Sequence, residues 1–358
     1  MTYNSSLDSF CGSTFWDSNL TWYTDNPDLS PCFQKTFLVW VPCGFMWLAA
    51  LVDVYHIVSS KEGNIPWNKL NISKLVIALS LVVLQILNLI LVTYASSNEE
   101  NKIYDADFYE PVVKLLTLML CITIICYNRK YGVMTSGVLF IFWLLLILAG
   151  LPQLRTEIVN YDPNSSGYAR YTFASYIVYY TLVIIMFILS CFADLPPTDS
   201  PYTYDKAQSP EKRSSVPSEL TFSWFDPLVL TGFRRSLKEE DLWPLNPEMT
   251  SKEVVPRFEK YWQRASQKRA KAADTSASTA DATAPINQKQ STKPISILPV
   301  LCLTFGYHFL FAVFLKVIHD LLIFVSPQLL EHIIGFIQGD DPVWKGYLYA
   351  VSMFLCCI

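Results

Sequence analysis

The chain has 358 residues, of which 52% are hydrophobic and only 16% are charged, and its mean hydropathy is +0.28. Soluble domains carry roughly 25% charged residues, so this composition argues against a soluble globular enzyme. The net charge of −4 excludes the strongly basic field that draws proteins to nucleic acid. The composition therefore indicates a membrane protein whose first partner is the lipid bilayer.

Six apolar stretches are long enough to cross a bilayer, which takes about 20 helical residues. Lipid offers no hydrogen-bond partners to the backbone, so each stretch is predicted to be an α-helix. The predicted spans are residues 36–57, 75–94, 108–127, 133–154, 173–193 and 298–325. A seventh apolar run, 346–358, is too short to complete a crossing, and we expect the chain to be truncated within it.

The Lys and Arg residues predict the orientation, because they favour cytoplasmic loops. The first loop contains three lysines and the third contains Arg129 and Lys130, whereas the second is mostly acidic. Residues 1–31 contain neither Lys nor Arg. We therefore predict a multi-pass protein of the plasma membrane with an extracellular N-terminal tail, residues 1–35.

This tail carries two further extracellular features. Asn4 and Asn19 begin glycosylation sequons. Cys11 and Cys32 are the two of nine cysteines that lie in an exposed, oxidising segment, so we predict a disulfide between them. Two free thiols are the alternative.

Behind the tail, residues 36–193 are predicted to form a five-span domain, and residues 194–297 a cytoplasmic linker. In the linker, residues 220–235 are rich in Leu, Phe and Trp and end in two arginines. They predict a helix lying at the membrane interface, with Asp226 as N-cap and Pro227 as first helical residue. A small soluble packing element is the alternative.

A second linker helix is predicted from a capping box, Thr250 with Glu253. It places one apolar stripe along its surface, which is typical of a docking face. The stripe consists of Val254, Phe258, Tyr261, Trp262 and Ala265. Residues 270–295 contain little that is apolar, and we expect them to be disordered.

The region 298–358, which holds the sixth span, contains Lys316, His319 and Asp320 at spacings that place all three on one helical face. Ionisable side chains near a bilayer centre cost about 2.5–3.5 kcal/mol each on insertion. A cation beside an imidazole suits an anionic ligand, so this face is the predicted substrate-binding site. A self-satisfied Lys316–Asp320 pair is the alternative.

Other features of the spans are predicted to be structural. Pro327 should kink the sixth span or end it. Asp53 and Lys114 lie near span ends and are expected to snorkel to the interface. The sequence has no G-x-x-x-x-G-K-[ST], G-x-G-x-x-G or C-x-x-C motif. We therefore predict no catalytic residue, no metal site and no cofactor bound by this chain.

Several longer motifs carry a family resemblance. They are F-C-G-S-T-F-W at 10–16, C-F-Q-K-T-F-L-V-W-V-P-C at 32–43, I-P-W-N-K-L-N at 65–71, N-R-K-Y-G-V at 128–133, S-C-F-A-D at 190–194, E-D-L-W at 240–243, K-V-I-H-D-L at 316–321 and S-P-Q-L-L at 326–330. With these motifs the chain resembles the N-terminal portion of the long multidrug resistance-associated proteins of ABC transporter subfamily C, in an insect-type form.

The resemblance implies an all-α polytopic protein with a five-helix accessory domain, a lasso-like linker and the first helix of an ABC exporter transmembrane domain. It implies ATP-driven export of organic anions, including glutathione, glucuronide and sulfate conjugates and drugs, with ATP and Mg²⁺ bound elsewhere in the full-length protein. Lys316, His319 and Asp320 would then contact the anionic amphipathic conjugate. The remainder of the transporter would be a partner, and this chain could not pump alone.

Two other classes remain open at this stage. An extracellular N-terminus and seven apolar runs also suit a seven-helix receptor, although Tyr127-Asn128-Arg129 stands where such receptors have D-R-Y. The five-span domain could instead serve mainly in trafficking or regulation, by binding a partner channel or transporter.

Overall fold

A computed structural model describes residues 6–59, 63–97, 103–164, 167–196, 209–244, 249–279, 296–339 and 341–357. These residues contain helices and no strands, so the all-α prediction is confirmed. The chain separates into two compact units, Met1–Trp243 and Pro244–Ile358. The α-helices are α1 Ser6–Cys11, α2 Ser18–Thr21, α3 Pro31–Lys35, α4 Phe37–Ser59, α5 Lys69–Ser97, α6 Asp105–Lys130, α7 Gly137–Val159, α8 Gly167–Ser190, α9 Val216–Leu220, α10 Asp226–Arg234, α11 Ser251–Thr279, α12 Ile297–Gln338 and α13 Val343–Cys357.

Six helical segments of the described chain are long and apolar enough to cross a membrane. They are Pro31–Tyr55, Lys69–Ser97, Asp105–Lys130, Gly137–Val159, Gly167–Ser190 and Phe309–Gln338. The first five coincide with the predicted spans to within a few residues at most ends. The sixth lies further along the chain than the predicted 298–325, because α12 does not end at Pro327 but continues to Gln338. A helix that ended in lipid would leave several backbone N–H and C=O groups without partners, whereas a proline inside a continuous helix leaves fewer unpaired. Continuation of α12 past Pro327 is therefore favoured.

Helices α4 to α8 form a closed ring in which each helix packs mainly on two others. Helix α4 contacts α6 and α7, α5 contacts α6 and α8, and α7 contacts α8. The centre of the ring is filled by large side chains that are at most 2% exposed, among them Met46, Leu81, Phe142, Trp143 and Val183. The outer surface is apolar as well, with Leu48 and Leu51 each 73% exposed, as expected for helices that face lipid.

Two tyrosines fasten α8 to α7. The Tyr176 hydroxyl donates to the Gly150 carbonyl at 2.8 Å, and the Tyr180 hydroxyl donates to the Ile147 carbonyl at 3.2 Å. The helices can approach this closely because residue 150 is a glycine. A Cβ atom at Gly150 would lie 2.8 Å from Cε2 of Tyr180 and 3.2 Å from the Tyr176 hydroxyl.

The N-terminal tail folds onto one end of the ring. Cys11 and Cys32 form a disulfide, and with Ala106 of α6 they make a small buried cluster. The Thr156 hydroxyl of α7 donates to Oδ1 of Asp28 at 2.7 Å. The tail is therefore a cap held by α6 and α7.

The linker departs from prediction in its first part, because residues 220–235 do not form one helix. Phe222 has a positive φ of 56° and separates α9 from a 3-10 turn, Ser223–Phe225, that leads into α10. Asp226 is not the N-cap: it is the first residue of α10, Phe225 holds the cap position and no side chain caps the helix. A left-handed residue interrupts helical hydrogen bonding, and periodicity alone does not reveal such a break.

Exposure distinguishes the two interpretations of this segment. Leu220, Phe222 and Phe233 are 69%, 68% and 89% exposed. A soluble packing element would bury such side chains, so the exposure favours contact with the membrane interface. Leu228 is the one residue of the segment that is buried, at 8% exposed, and the ring of Trp243 lies 6.2 Å from the rings of Trp224 and Phe225.

The second part of the linker is more helical than predicted. Helix α11 continues through residues 270–279, which the sequence had indicated to be disordered, because four of these ten residues are alanine, the strongest helix former, even without a core to cover. The rest of the predicted disordered stretch, 280–295, lies outside the described residues. The predicted stripe coincides with partly buried positions, and α11 packs on α12 within the second unit.

Replacing Gly150 by alanine should loosen the contact between α7 and α8. The added methyl group meets the ring of Tyr180, and overpacking of this kind costs about 1–3 kcal/mol. Thermal unfolding of the purified chain in detergent should show a lower midpoint. The control is Gly44→Ala in α4, where a Cβ meets nothing within 4 Å and alanine favours the helix by about 0.5–1 kcal/mol. Equal midpoints for the two variants would contradict the packing described.

Candidate functional site

The predicted charged face lies on α12, within its membrane-spanning part. Nζ of Lys316 is 2.8 Å from Oδ1 of Asp320, and Nδ1 of His319 is 3.2 Å from that same oxygen. Nδ1 is also 3.2 Å from Nζ of Lys316. The helical spacing thus brings the three side chains together in one contiguous cluster.

The contacts of His319 limit what the cluster can do. If Nδ1 carries a proton it donates to Asp320, and if it does not it accepts from Lys316, so it serves one partner at a time. The side chains of Lys316, His319 and Asp320 are 64%, 59% and 52% exposed. The Lys316–Asp320 contact of the alternative interpretation is present, but it leaves most donors of the ammonium group available to a ligand.

The other predicted site residues lie at the opposite end of the chain. Asn19 is exposed on α2, two residues after its N-cap Asp17, so the amide side chain is accessible. Asn4 lies outside the described residues. Cys11 and Cys32 are bonded to each other and buried within the tail cap.

Lys114 and Asp53 do not snorkel to an interface, and that prediction is wrong. Lys114 is 7% exposed; its Nζ donates to Oε1 of Glu110 at 2.7 Å and lies 4.7 Å from the centroid of the Tyr179 ring. Asp53 is 8% exposed and accepts a hydrogen bond from Ser136, the N-cap residue of α7. A charge inside a helical bundle is stabilised by a partner there instead of by water.

A further ion pair joins the tail cap to the ring. Lys35, the last residue of α3, pairs with Asp107 in the first turn of α6. The i,i+4 spacing of Glu110 and Lys114 was a signal available in the sequence. The Lys35–Asp107 pair, 72 positions apart, had no such signal because the fold alone brings the two residues together.

Comparison with known proteins identifies the family. Residues 9–174 match the ABC transporter TMD0 domain. ATP-binding cassette sub-family C member 3 of Mus musculus is 34% identical over 359 residues, which cover 98% of this chain and 23% of that protein. The chain belongs to the multidrug resistance-associated type of ABC transporter subfamily C.

Other members of the subfamily match over the same extent. ATP-binding cassette sub-family C member 3 of Homo sapiens is 34% identical over 98% of this chain. ATP-binding cassette sub-family C member 2 of Rattus norvegicus is 32% identical over 97% of it. The chain spans about a quarter of the length of these relatives, 24% for each of these two. The five-helix ring and its tail cap therefore correspond to the TMD0 domain of this family.

In this TMD0 domain the end opposite the tail cap is also closed by a charged pair. Nζ of Lys74, near the start of α5, donates to Oδ2 of Asp194 at 3.3 Å, just beyond the end of α8. Asn71 is placed to donate to both oxygens of Asp194, at 3.0 and 3.2 Å. Burial raises the pKa of Asp194 above its ordinary 3.8, and Lys74 opposes that rise.

The raised pKa of Asp194 predicts a pH dependence of stability. The folded state binds the proton more tightly than the unfolded state does, so folding is favoured increasingly as the pH falls from neutral through the folded-state pKa. Lys74→Met removes the opposing charge and should enlarge this dependence. Unfolding midpoints measured over that range are to be compared with those of Asp194→Asn, which cannot titrate at this position. A wild-type profile parallel to that of Asp194→Asn would contradict the assignment.

Proposed function

We propose that this chain is the N-terminal part of an ATP-driven exporter of organic anions in the plasma membrane, with its N-terminus outside. The observation that carries the proposal is 32–34% identity to subfamily C members 2 and 3 over nearly the whole chain. The proposal requires further coding sequence after residue 358 that completes the transport domains and supplies nucleotide-binding domains. ATP and Mg²⁺ would bind there and power the transport step.

The cluster on α12 is the proposed contact with the substrate. Lys316 supplies a cation and His319 a second donor, and a carboxylate, sulfate or glucuronate group is stabilised by such charge-assisted hydrogen bonds. Asp320 holds the ammonium group in position through the 2.8 Å contact. Glutathione, glucuronide and sulfate conjugates, and amphipathic drugs, share the anionic group that this face would recognise.

The tail cap supports the proposed orientation. A disulfide between Cys11 and Cys32 persists in an oxidising compartment. The exposed Asn19 lies on the same segment as Asn4, and we propose both as glycosylation sites. A second candidate function for the five-helix ring is trafficking or regulation. This role is favoured because the ring has a hydrophobic core of its own, whose buried residues all come from α4 to α8.

Lys316→Met in the complete transporter should reduce uptake of a glutathione conjugate into inside-out vesicles by about tenfold, since a hydrogen bond to a charged group contributes about 1.5–3 kcal/mol. Surface expression should stay level, because methionine inserts into the bilayer more readily than lysine. Lys316→Arg keeps the cation and should retain most transport.

Lys268→Met on α11 is the matched control for the loss of a lysine outside the membrane, and its uptake should equal that of the wild type. Unchanged uptake in Lys316→Met at equal expression would exclude the α12 cluster as the substrate contact. Normal transport with lost surface delivery after disruption of the five-helix ring would favour the trafficking role for that domain.

A further inference from the structure

A cavity of about 310 Å³ lies inside the five-helix ring, and none of the residues that line it belongs to the proposed substrate contact on α12. Its walls come from the later halves of α5 and α7 and the first halves of α6 and α8, with Lys35 of α3 at the side. These helix ends lie on the same side as the tail cap. The volume is within the range of about 300–1,000 Å³ that small-molecule sites occupy.

The charges that line this cavity do not balance. Lys35 is paired with Asp107, and Lys114 is paired with Glu110. The third carboxylate on the wall, Glu157 of α7, is attracted by the charge of Lys35 but makes no ion pair within 4 Å and no hydrogen bond with any residue that the structure describes. Two lysines thus meet three carboxylates, and the carboxylate in excess faces the cavity.

A buried amide on the wall is also without a partner. Gln85 of α5 is only 3% exposed and lines the cavity, yet within the described part of the chain it makes no hydrogen bond. Its position on the wall places its oxygen and nitrogen within reach of an occupant.

Tyrosine rings complete the wall and suit a cation. Tyr168, Tyr171, Tyr176 and Tyr179 line the cavity. The hydroxyls of Tyr171 and Tyr176 are engaged in hydrogen bonds to Asn88 and to the Gly150 carbonyl, which leaves the ring faces as contact surface. The Tyr179 ring already lies beside one cation, the ammonium group of Lys114, at 4.7 Å. Aromatic faces attract cations, most strongly where water is excluded.

We propose that this cavity binds a protonated primary amine with an apolar body. Glu157 supplies the counter-charge, the Gln85 side-chain oxygen accepts an N–H bond, and the tyrosine rings cover the apolar part. An anion is disfavoured because it would add to the excess negative charge. The amine comes either from a soluble organic ammonium ion or from the ethanolamine headgroup of a phospholipid, which present the same chemistry.

Calorimetric titration tests the site in the 358-residue chain reconstituted in phosphatidylcholine nanodiscs. Phenethylamine is the probe, and 2-phenylethanol is the uncharged molecule of the same shape. The amine should bind saturably and the alcohol should not. Nanodiscs that contain phosphatidylethanolamine separate the two sources: weaker apparent binding of phenethylamine there identifies the lipid headgroup as competitor, and equal binding identifies a soluble amine.

Three variants complete the test. Glu157→Gln should weaken phenethylamine binding at least tenfold, and Ser175→Phe should abolish it by filling the cavity while leaving every charge in place. Asp162→Asn removes an exposed carboxylate beyond the end of α7, outside the cavity wall, and should bind as the wild type does. Absence of saturable binding to the wild type would overturn the proposal, as would equal affinity in Glu157→Gln.

Discussion

The structure of the five-helix domain depends on one constraint: a charge that enters the bilayer region has to find its partner inside the protein. Lys114 meets Glu110, Lys35 meets Asp107 and Lys74 meets Asp194. The Lys35–Asp107 pair joins α3 of the tail cap to α6, and the Lys74–Asp194 pair joins α5 to the segment after α8. These two pairs therefore hold separate elements together at the two ends of the ring. Apolar side chains fill the middle of the ring, but they determine less strictly which helices pack together, because lipid solvates apolar side chains equally well.

The same constraint separates the two charged regions of the chain. Within the ring most charges are buried and paired, which gives a domain with its own core. On α12 the cluster of Lys316, His319 and Asp320 is more than half exposed, so its pairing satisfies only part of its hydrogen-bonding capacity. The first arrangement serves folding, and the second suits contact with a further partner or an anionic ligand.

Sequence reasoning found the helices because span length and apolar content are local properties, and it found the cluster on α12 because three residues one turn apart must share a face. It did not find the partners of Lys114 and Asp53, and it could not place Gln85 and Glu157 on one cavity wall, since each depends on which helices become neighbours. The break at Phe222 was missed for a related reason, because one backbone angle leaves the apolar pattern unchanged. Of the two outcomes predicted for Pro327, a kink or an end, the end is wrong, because α12 continues through the proline.

The claim that a charge buried in the ring needs its partner there is tested most directly by a double-mutant cycle on Lys114 and Glu110 of α6, followed by unfolding in detergent. Removing one partner of a buried pair costs about 3–5 kcal/mol, whereas replacing both by apolar groups is nearly neutral. Lys114→Met and Glu110→Leu should therefore each destabilise the domain far more than the two together. Additive losses in the double variant would show that the two charges are not coupled, and would contradict this account of the fold.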